Sequence, residues 1–399
     1  MPKQAASVRS QTVLRIKTLP PFGLMVISIA YVIEITTFPL ILGGLSEEFD
    51  LSQSTAQSLV SSYKFALVAS ILVAGWIGDR VSREGVFAVG AFLFSAASFA
   101  FIFATDTTSL MQLRIAQGVG AGLFSPMIPA LLAARRPTGT LAALSYWGML
   151  TGAAAAVYPY IAAQLTLSFS WQAGWSVVPL AALIALLGLP CKSDRAAVPE
   201  PAPTKKPRSR LTFPVWAILG YVFINYGLTT WFIVAIALAT GPEGHSLTTI
   251  GFALFVLWSI FSLTNYVIAK FGSSINNTTA LILGILANFT AVVTFVIGPN
   301  DMVWLLASCI LIGIGMGLNN APTTDFAFRM TPPHSHGQIA SLDIIAARLG
   351  GAVFVTLIPV TGSGALWGAG FSLAASLILI YCASKNPKRP NPSQIQMVL

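Results

Sequence analysis

The chain has 399 residues, 55% of them hydrophobic and only 9% charged, far below the roughly 25% charged residues of soluble domains. No soluble core could hide that much apolar surface. A formal net charge of +9 would suggest nucleic acid in a soluble protein, but basic loops between membrane-length apolar runs face anionic headgroups, and no nucleic-acid partner is expected.

A bilayer-crossing helix needs about 20 apolar residues, and twelve segments meet that length: 22–44, 54–77, 85–105, 109–134, 140–166, 174–191, 213–240, 248–271, 278–298, 303–328, 337–361 and 364–384. A basic run, Lys3, Arg9, Arg15 and Lys17, precedes the first. That resembles a secretory signal, yet the apolar stretch is too long for a signal core and reads as an uncleaved first helix. Outside the spans or at their ends the bases fall in alternate connections. They include Arg80 and Arg83, Arg135 and Arg136, Lys192 to Arg210, Lys270, Arg329, and Lys385 to Arg389. The opposite face carries Glu47, Glu48, Asp50, Asp106, Glu243 and Asp301. The positive-inside rule puts both termini in the cytoplasm, in the plasma (inner) membrane if the source is bacterial. Three cysteines, Cys191, Cys309 and Cys382, imply no structural disulfide.

The fourth and tenth spans share a glycine pattern, Gly118-Val-Gly120-Ala-Gly122 with Pro126, and Gly313-Ile-Gly315-Met-Gly317 with Pro322. This implies an all-α membrane protein of twelve helices in two pseudo-symmetric six-helix bundles, with a substrate site between them. The expected division is a cytoplasmic segment 1–21, a bundle 22–191, a Pro/basic linker 192–212, a second bundle 213–384 and a cytoplasmic tail 385–399. The linker, with Pro199, Pro201, Pro203 and Pro207 among Lys205, Lys206, Arg208 and Arg210, is extended and semi-rigid, either a tether along the leaflet or a docking segment. Glycines inside apolar helices cannot form a phosphate loop, which needs a preceding strand. They suit close helix packing at Gly118 with Gly122, Gly313 with Gly317, and Gly148 with Gly152.

Between the second and third spans runs Gly75-Trp76-Ile77-Gly78-Asp79-Arg80-Val81-Ser82-Arg83-Glu84. It resembles the cytoplasmic loop signature of the major facilitator superfamily, matching at Gly75, Asp79, Arg80 and Arg83 and departing at Ser82 and Glu84. Arg114-Ile115-Ala116-Gln117-Gly118 is similar to the Arg-x-x-Gln-Gly signature of proton-coupled members. Trp171-Gln172-Ala173-Gly174-Trp175 resembles the start of the sixth span in the twelve-helix drug/proton antiporter branch. Where antiporters carry Gly-x-x-x-Gly-Pro, this chain has Ala153 after Gly152. The resemblance implies a cytoplasmic gate at Gly75, Asp79, Arg80 and Arg83, with Asp79 meeting the positive end of the eleventh helix.

Six ionisable residues fall within spans: Glu34, Lys64, Arg114, Asp325, Asp343 and Arg348. Each costs about 2.5 to 3.5 kcal/mol at a helix centre unless it faces the interior and pairs. Glu34, mid-way along the first span, is the candidate proton carrier, since a carboxyl that moves between wet and dry surroundings can load and release a proton. The alternative is a static salt bridge with Lys64 or Arg114. Arg114 either orders the proton site or holds substrate through its donor fork. Lys64 is either a counter-charge to Glu34 or a lure for an anion. Asp325 and Arg329 stand four apart and form a gate or a clamp, and Asp343 joins the gate set. The duplication places Asn225 opposite Glu34. Tyr31, Tyr158, Tyr221, Tyr226, Trp258, Asn319, Asn320 and Arg348 complete the expected cavity.

These features together indicate a proton-coupled secondary transporter exporting a small organic molecule, with a carrier of an anionic metabolite as the nearest rival and a non-transporting sensor as a third reading. Its partners are the substrate, protons and the bilayer, and a monomer is expected. No enzyme, cofactor or metal is expected: His245, His334 and His336 lie in loops, and no Cys/His/acid cluster has metal-ligand spacing.

Overall fold

The computed structural model describes residues 22–78, 83–126, 128, 140–187, 211–238, 245–272, 276–298, 301–332, 336–359 and 363–385. They form α1 Phe22–Glu48, α2 Gln53–Gly78, α3 Arg83–Ala100, α4 Thr107–Phe124, α5 Thr140–Ser168, α6 Val177–Leu187, α7 Phe213–Leu238, α8 Leu247–Phe271, α9 Asn277–Ile297, α10 Met302–Arg329, α11 His336–Leu357 and α12 Ser363–Ser384. Only helices satisfy every backbone donor without help from water, so apolar runs of this length fold this way in lipid. Ten of the helices are long and apolar enough to cross a membrane. The exceptions are α4, which spends polarity on Arg114 and Gln117, and α6, which is short.

The expected 174–191 span starts earlier and is broken. A one-turn helix, Trp171–Trp175, is capped by Ser170, which accepts from Ala173 N, and the chain turns at Ser176 before α6. Tyr158 of α5 staples this joint: its hydroxyl donates to Gly174 O at 2.7 Å and accepts from Val177 N at 3.3 Å.

The duplication is written in the packing. A Cβ on Gly120 would meet Gly90 O of α3, and one on Gly315 would meet Gly284 O of α9. Gly118 sits against the Tyr63 carbonyl of α2 and Gly313 against the Leu257 carbonyl of α8. The caps repeat as well. Thr55 N donates to Ser52 Oγ ahead of α2 and Thr249 N to Ser246 Oγ ahead of α8, both at 3.2 Å. Asp106 caps α4 and Asp301 caps α10. All these pairs lie about 195 positions apart, so each half folds by the same local rules.

Within each half, α3 packs on α4 and α6, and α9 on α10 and α12. Their outer faces leave Phe92, Phe99, Leu180, Leu283, Trp367 and Phe371 exposed, an apolar belt suited to lipid. The halves meet chiefly through α5 on α8 and α2 on α11. Gly251 lies against Ala163 and Pro159, and Gly272 against Leu141, so α5 and α8 touch along much of their length. Ser61 Oγ and Thr356 Oγ1 join α2 to α11 at 3.1 Å.

Candidate functional site

Between the halves lies a cavity of about 1410 Å³ of atom-free space, counting the part open to solvent. Its wall draws on α1, α2, α4 and α5 from one half and α7, α8, α10 and α11 from the other. The lining residues of α5 (Leu144 to Thr151) and of α11 (Asp343 to Arg348) lie toward the starts of those helices, and those of α10 (Met316 to Thr324) toward its end. The cavity therefore occupies the middle and the side at which α1 begins, where Lys270, Arg329 and Lys385 also lie. On the other side α1 is buried all round from Thr36 to Leu42, and α7 from Trp231 to Ala237, and the halves are closed there.

Five ionisable side chains line the cavity: Glu34, Lys64, Arg114, Asp343 and Arg348. Arg114 is engaged through Nη1 and Nε. Its Nη1 donates to Glu34 Oε1 at 2.5 Å and to Gln117 Oε1 at 2.7 Å, and its Nε donates to Leu59 O at 3.3 Å. The guanidinium carbon stands 3.6 Å from the Phe38 ring centroid and 4.4 Å from that of Tyr63, a cation–π cage around a desolvated charge. Gln117 continues inward to Ser98 Oγ at 3.5 Å. Glu34 Oε2 is buried and has no hydrogen-bond partner among the described residues. One carboxylate oxygen is thus pinned by Arg114 while the other is left without a partner among the described residues.

The remaining charges are less committed. Lys64 is buried and makes no ion pair among the described residues. The Arg348 guanidinium carbon lies 5.3 Å from the Tyr31 ring centroid, and its Nε is buried without a hydrogen-bond partner among the described residues. Asp343 Oδ2 accepts from Thr324 Oγ1 at 3.1 Å, and Oδ1 is unpartnered among the described residues.

Lys64 of α2 and Trp258 of α8 face the cavity from matching positions in the two halves. Tyr226 and Asn320 are also in the wall, with Tyr226 Oη donating to Asn320 Oδ1 at 3.3 Å and Asn320 Nδ2 to Asn265 Oδ1 at 3.0 Å. Four expected lining residues lie behind it. Tyr158 holds the α6 joint. Tyr221 is fully buried, bonded to Asn319 and to Leu281 O. Asn319 faces α9 beside Gly284, and Asn225 accepts from Asn288 Nδ2 of α9 at 2.6 Å. A polar side chain inside an apolar helix serves packing against the outer helix as readily as it lines a cavity, and periodicity does not distinguish the two. Tyr31 contacts the site through Arg348.

Of the expected gate residues, Asp343 lies in the cavity wall instead. Asp325 pairs with Arg329 Nε at 2.7 Å along α10 and accepts from Asn277 Nδ2 of α9 at 2.8 Å, partners within one half, as a clamp requires. Gly75 falls in α2 and Arg83 opens α3, while Asp79 and Arg80 lie outside the described residues, as do 1–21, 188–210, which holds all of the expected 192–212 linker except Leu211 and Thr212, and the tail from 386.

The model of the Major Facilitator Superfamily matches residues 23–355. The chain belongs to that superfamily. Superfamily relatives include the tetracenomycin C resistance and export protein of Streptomyces glaucescens, 30% identical over 40% of this chain and 30% of that protein. The drug efflux pump JefA of Mycobacterium tuberculosis is 24% identical over 52% of this chain and 42% of its own length. The match spans under half the length of both. The puromycin resistance protein pur8 of Streptomyces alboniger is 25% identical over 86% of this chain and 82% of its own. In three dimensions the chain resembles the superfamily transporter FucP in its outward conformation, with a TM-score of 0.67, 13% identity, and coverage of 92% of this chain and 99% of that one. That likeness establishes the shared superfamily fold.

Superfamily motifs did not reveal the aromatic wall. Phe38, Tyr63, Trp147 and Phe261 line the cavity, yet in sequence they are four of many aromatics in apolar helices, with no local signal to separate lining from packing. Gln117 was visible as part of the Arg114 motif, and its bond to Ser98 was not.

Proposed function

We propose that this protein is a secondary transporter that moves a small organic molecule across the membrane by alternating access, outward and coupled to proton influx, working as a monomer with both termini in the cytoplasm. The observation that carries this reading is the buried Glu34–Arg114 pair in the wall of a cavity built by both halves. A carboxylate held at 2.5 Å by one oxygen keeps the other unpartnered among the described residues, which on this reading is where a proton would load. When ionised it binds Arg114; when protonated it releases it. Rocking of the halves would alter the water around Glu34 and so its affinity for a proton.

Export is supported by relatives named for resistance and efflux. With the basic face taken as cytoplasmic, the cavity faces inward, ready to load from inside. The energy suffices: one charge crossing about 100 mV yields about 2.3 kcal/mol, which at 1.4 kcal/mol per tenfold sustains a gradient of roughly 50-fold.

The test is reconstitution into liposomes with an imposed pH gradient and a chemically broad substrate panel, comparing the intact chain with Glu34→Gln. Gradient-driven accumulation that disappears in the variant is the expected result. Full proton-driven transport by the variant would refute coupling at Glu34, and absence of counterflow for every compound would favour a sensor.

A further inference from the structure

We infer that the molecule carried, on the transport reading above, is an amphiphilic monoanion whose acidic group sits between Lys64 of α2 and Arg348 of α11. Two acids and three bases line the cavity. Glu34 and Arg114 neutralise one another, and the donors of Arg114 on Nη1 and Nε are directed to Glu34, Gln117 and the Leu59 carbonyl. Counted with every group ionised, Lys64 and Arg348 then stand against Asp343 alone, leaving one cation in excess. A buried charge without a counter-ion is costly, and Lys64, only 4% exposed, finds no acid within ion-pair distance among the described residues. A ligand bearing one negative charge would supply the missing partner; Asp343 opposes a second.

The donors are free to act. The Lys64 ammonium has three N–H groups, and Arg348, which lies against Tyr31, has its buried Nε without a hydrogen-bond partner among the described residues. They come from opposite halves, on helices joined by Ser61 and Thr356, so an acid held between them would bridge the two moving parts. The body of the ligand meets a different surface. Phe38, Trp147, Trp258, Phe261 and Met316 line the same space, which suits a flat apolar framework. Trp258 occupies in the second half the place that Lys64 takes in the first, so the pseudo-symmetry itself sets a charge-binding side against an apolar side.

The experiment uses three naphthalene probes of similar size: naphthaleneacetate, naphthaleneacetamide and a naphthylmethyl trimethylammonium salt. Binding to the purified full chain is measured by equilibrium dialysis against protein-free micelles as the blank. The carboxylate is expected to bind at least tenfold more tightly than the amide, and the ammonium least. Lys64→Gln and Arg348→Gln should each remove that preference while changing amide affinity less than threefold, and Lys64→Arg should restore it. Equal or tighter binding of the amide or ammonium, absence of carboxylate binding, or a preference that survives in Lys64→Gln overturns the inference. If neither glutamine variant is recovered folded, the wild-type ranking decides. Counterflow in liposomes separates the two readings: carboxylate that binds but does not move sinks transport and leaves the anion site, whereas preferential movement of the ammonium sinks the anion site and leaves transport.

Discussion

Arg114 reaches from α4 to Glu34 on α1, Nη1 to Oε1 at 2.5 Å, with the two side chains 2% and 0% exposed. Removing one member of such a pair strands a buried charge, at about 3–5 kcal/mol, whereas replacing both is far milder. Glu34→Gln should therefore lower the melting temperature in detergent, and Glu34→Gln with Arg114→Gln should recover part of the loss. Additive losses in the double variant would show that the pair is not coupled.

The contact between Ser61 and Thr356 predicts a conformational lock. Their oxygens are 3.1 Å apart between α2 and α11, on the side where the halves are closed. Cysteines at both positions, in a background with Cys191, Cys309 and Cys382 changed to serine, should cross-link readily. Transport should stop on oxidation and return on reduction. Transport that continues through the cross-linked state would mean these helices need not part.

Close helix approach predicts a graded response to glycine replacement. A Cβ on Gly120 would stand 2.5 Å from Phe94 N and 2.8 Å from Gly90 O, and one on Gly315 2.7 Å from Gly284 O. Gly120→Val and Gly315→Val should each cost at least about 1–3 kcal/mol, the usual range for overpacking. Gly370→Ala, with nothing within 4 Å, should melt like the parent. Thermal melting of the three variants side by side decides it.

The matched caps predict matched losses. Asp106 accepts from Ser109 N at 2.8 Å, and Asp301 accepts from Val303 N at 2.7 Å. Alanine at either should cost about 1 kcal/mol and asparagine much less, with substrate affinity unchanged. A change in affinity at either site would tie these loops to the transport cycle.

Much of the fold was legible because lipid makes the rules strict. Hydropathy located twelve segments, and the shared glycines of the fourth and tenth spans announced the duplication, which the Gly120–Gly90 and Gly315–Gly284 contacts now carry. The Ser176 break in the sixth span was hidden, since it depends on Tyr158 reaching from α5.

The site divides the same way. Linear order was enough to mark Glu34, Lys64, Arg114, Asp343 and Arg348, because an ionisable group in a membrane helix is costly wherever it points and so is conspicuous. Only the packed helices decided which charge met which: Arg114 with Glu34 and Gln117, Asp325 with Arg329 and Asn277, and Lys64 with no acid within reach among the described residues. Composition and spacing report the cost of placing a group in lipid, whereas its partner depends on rotation and contact between helices far apart in the chain. Asn225 illustrates the difference: the repeat seen in the packing, Phe38 on Phe101 and Phe232 on Phe295, sets it level with Tyr31 and puts Leu228 opposite Glu34, and the approach of α9 turned it to Asn288.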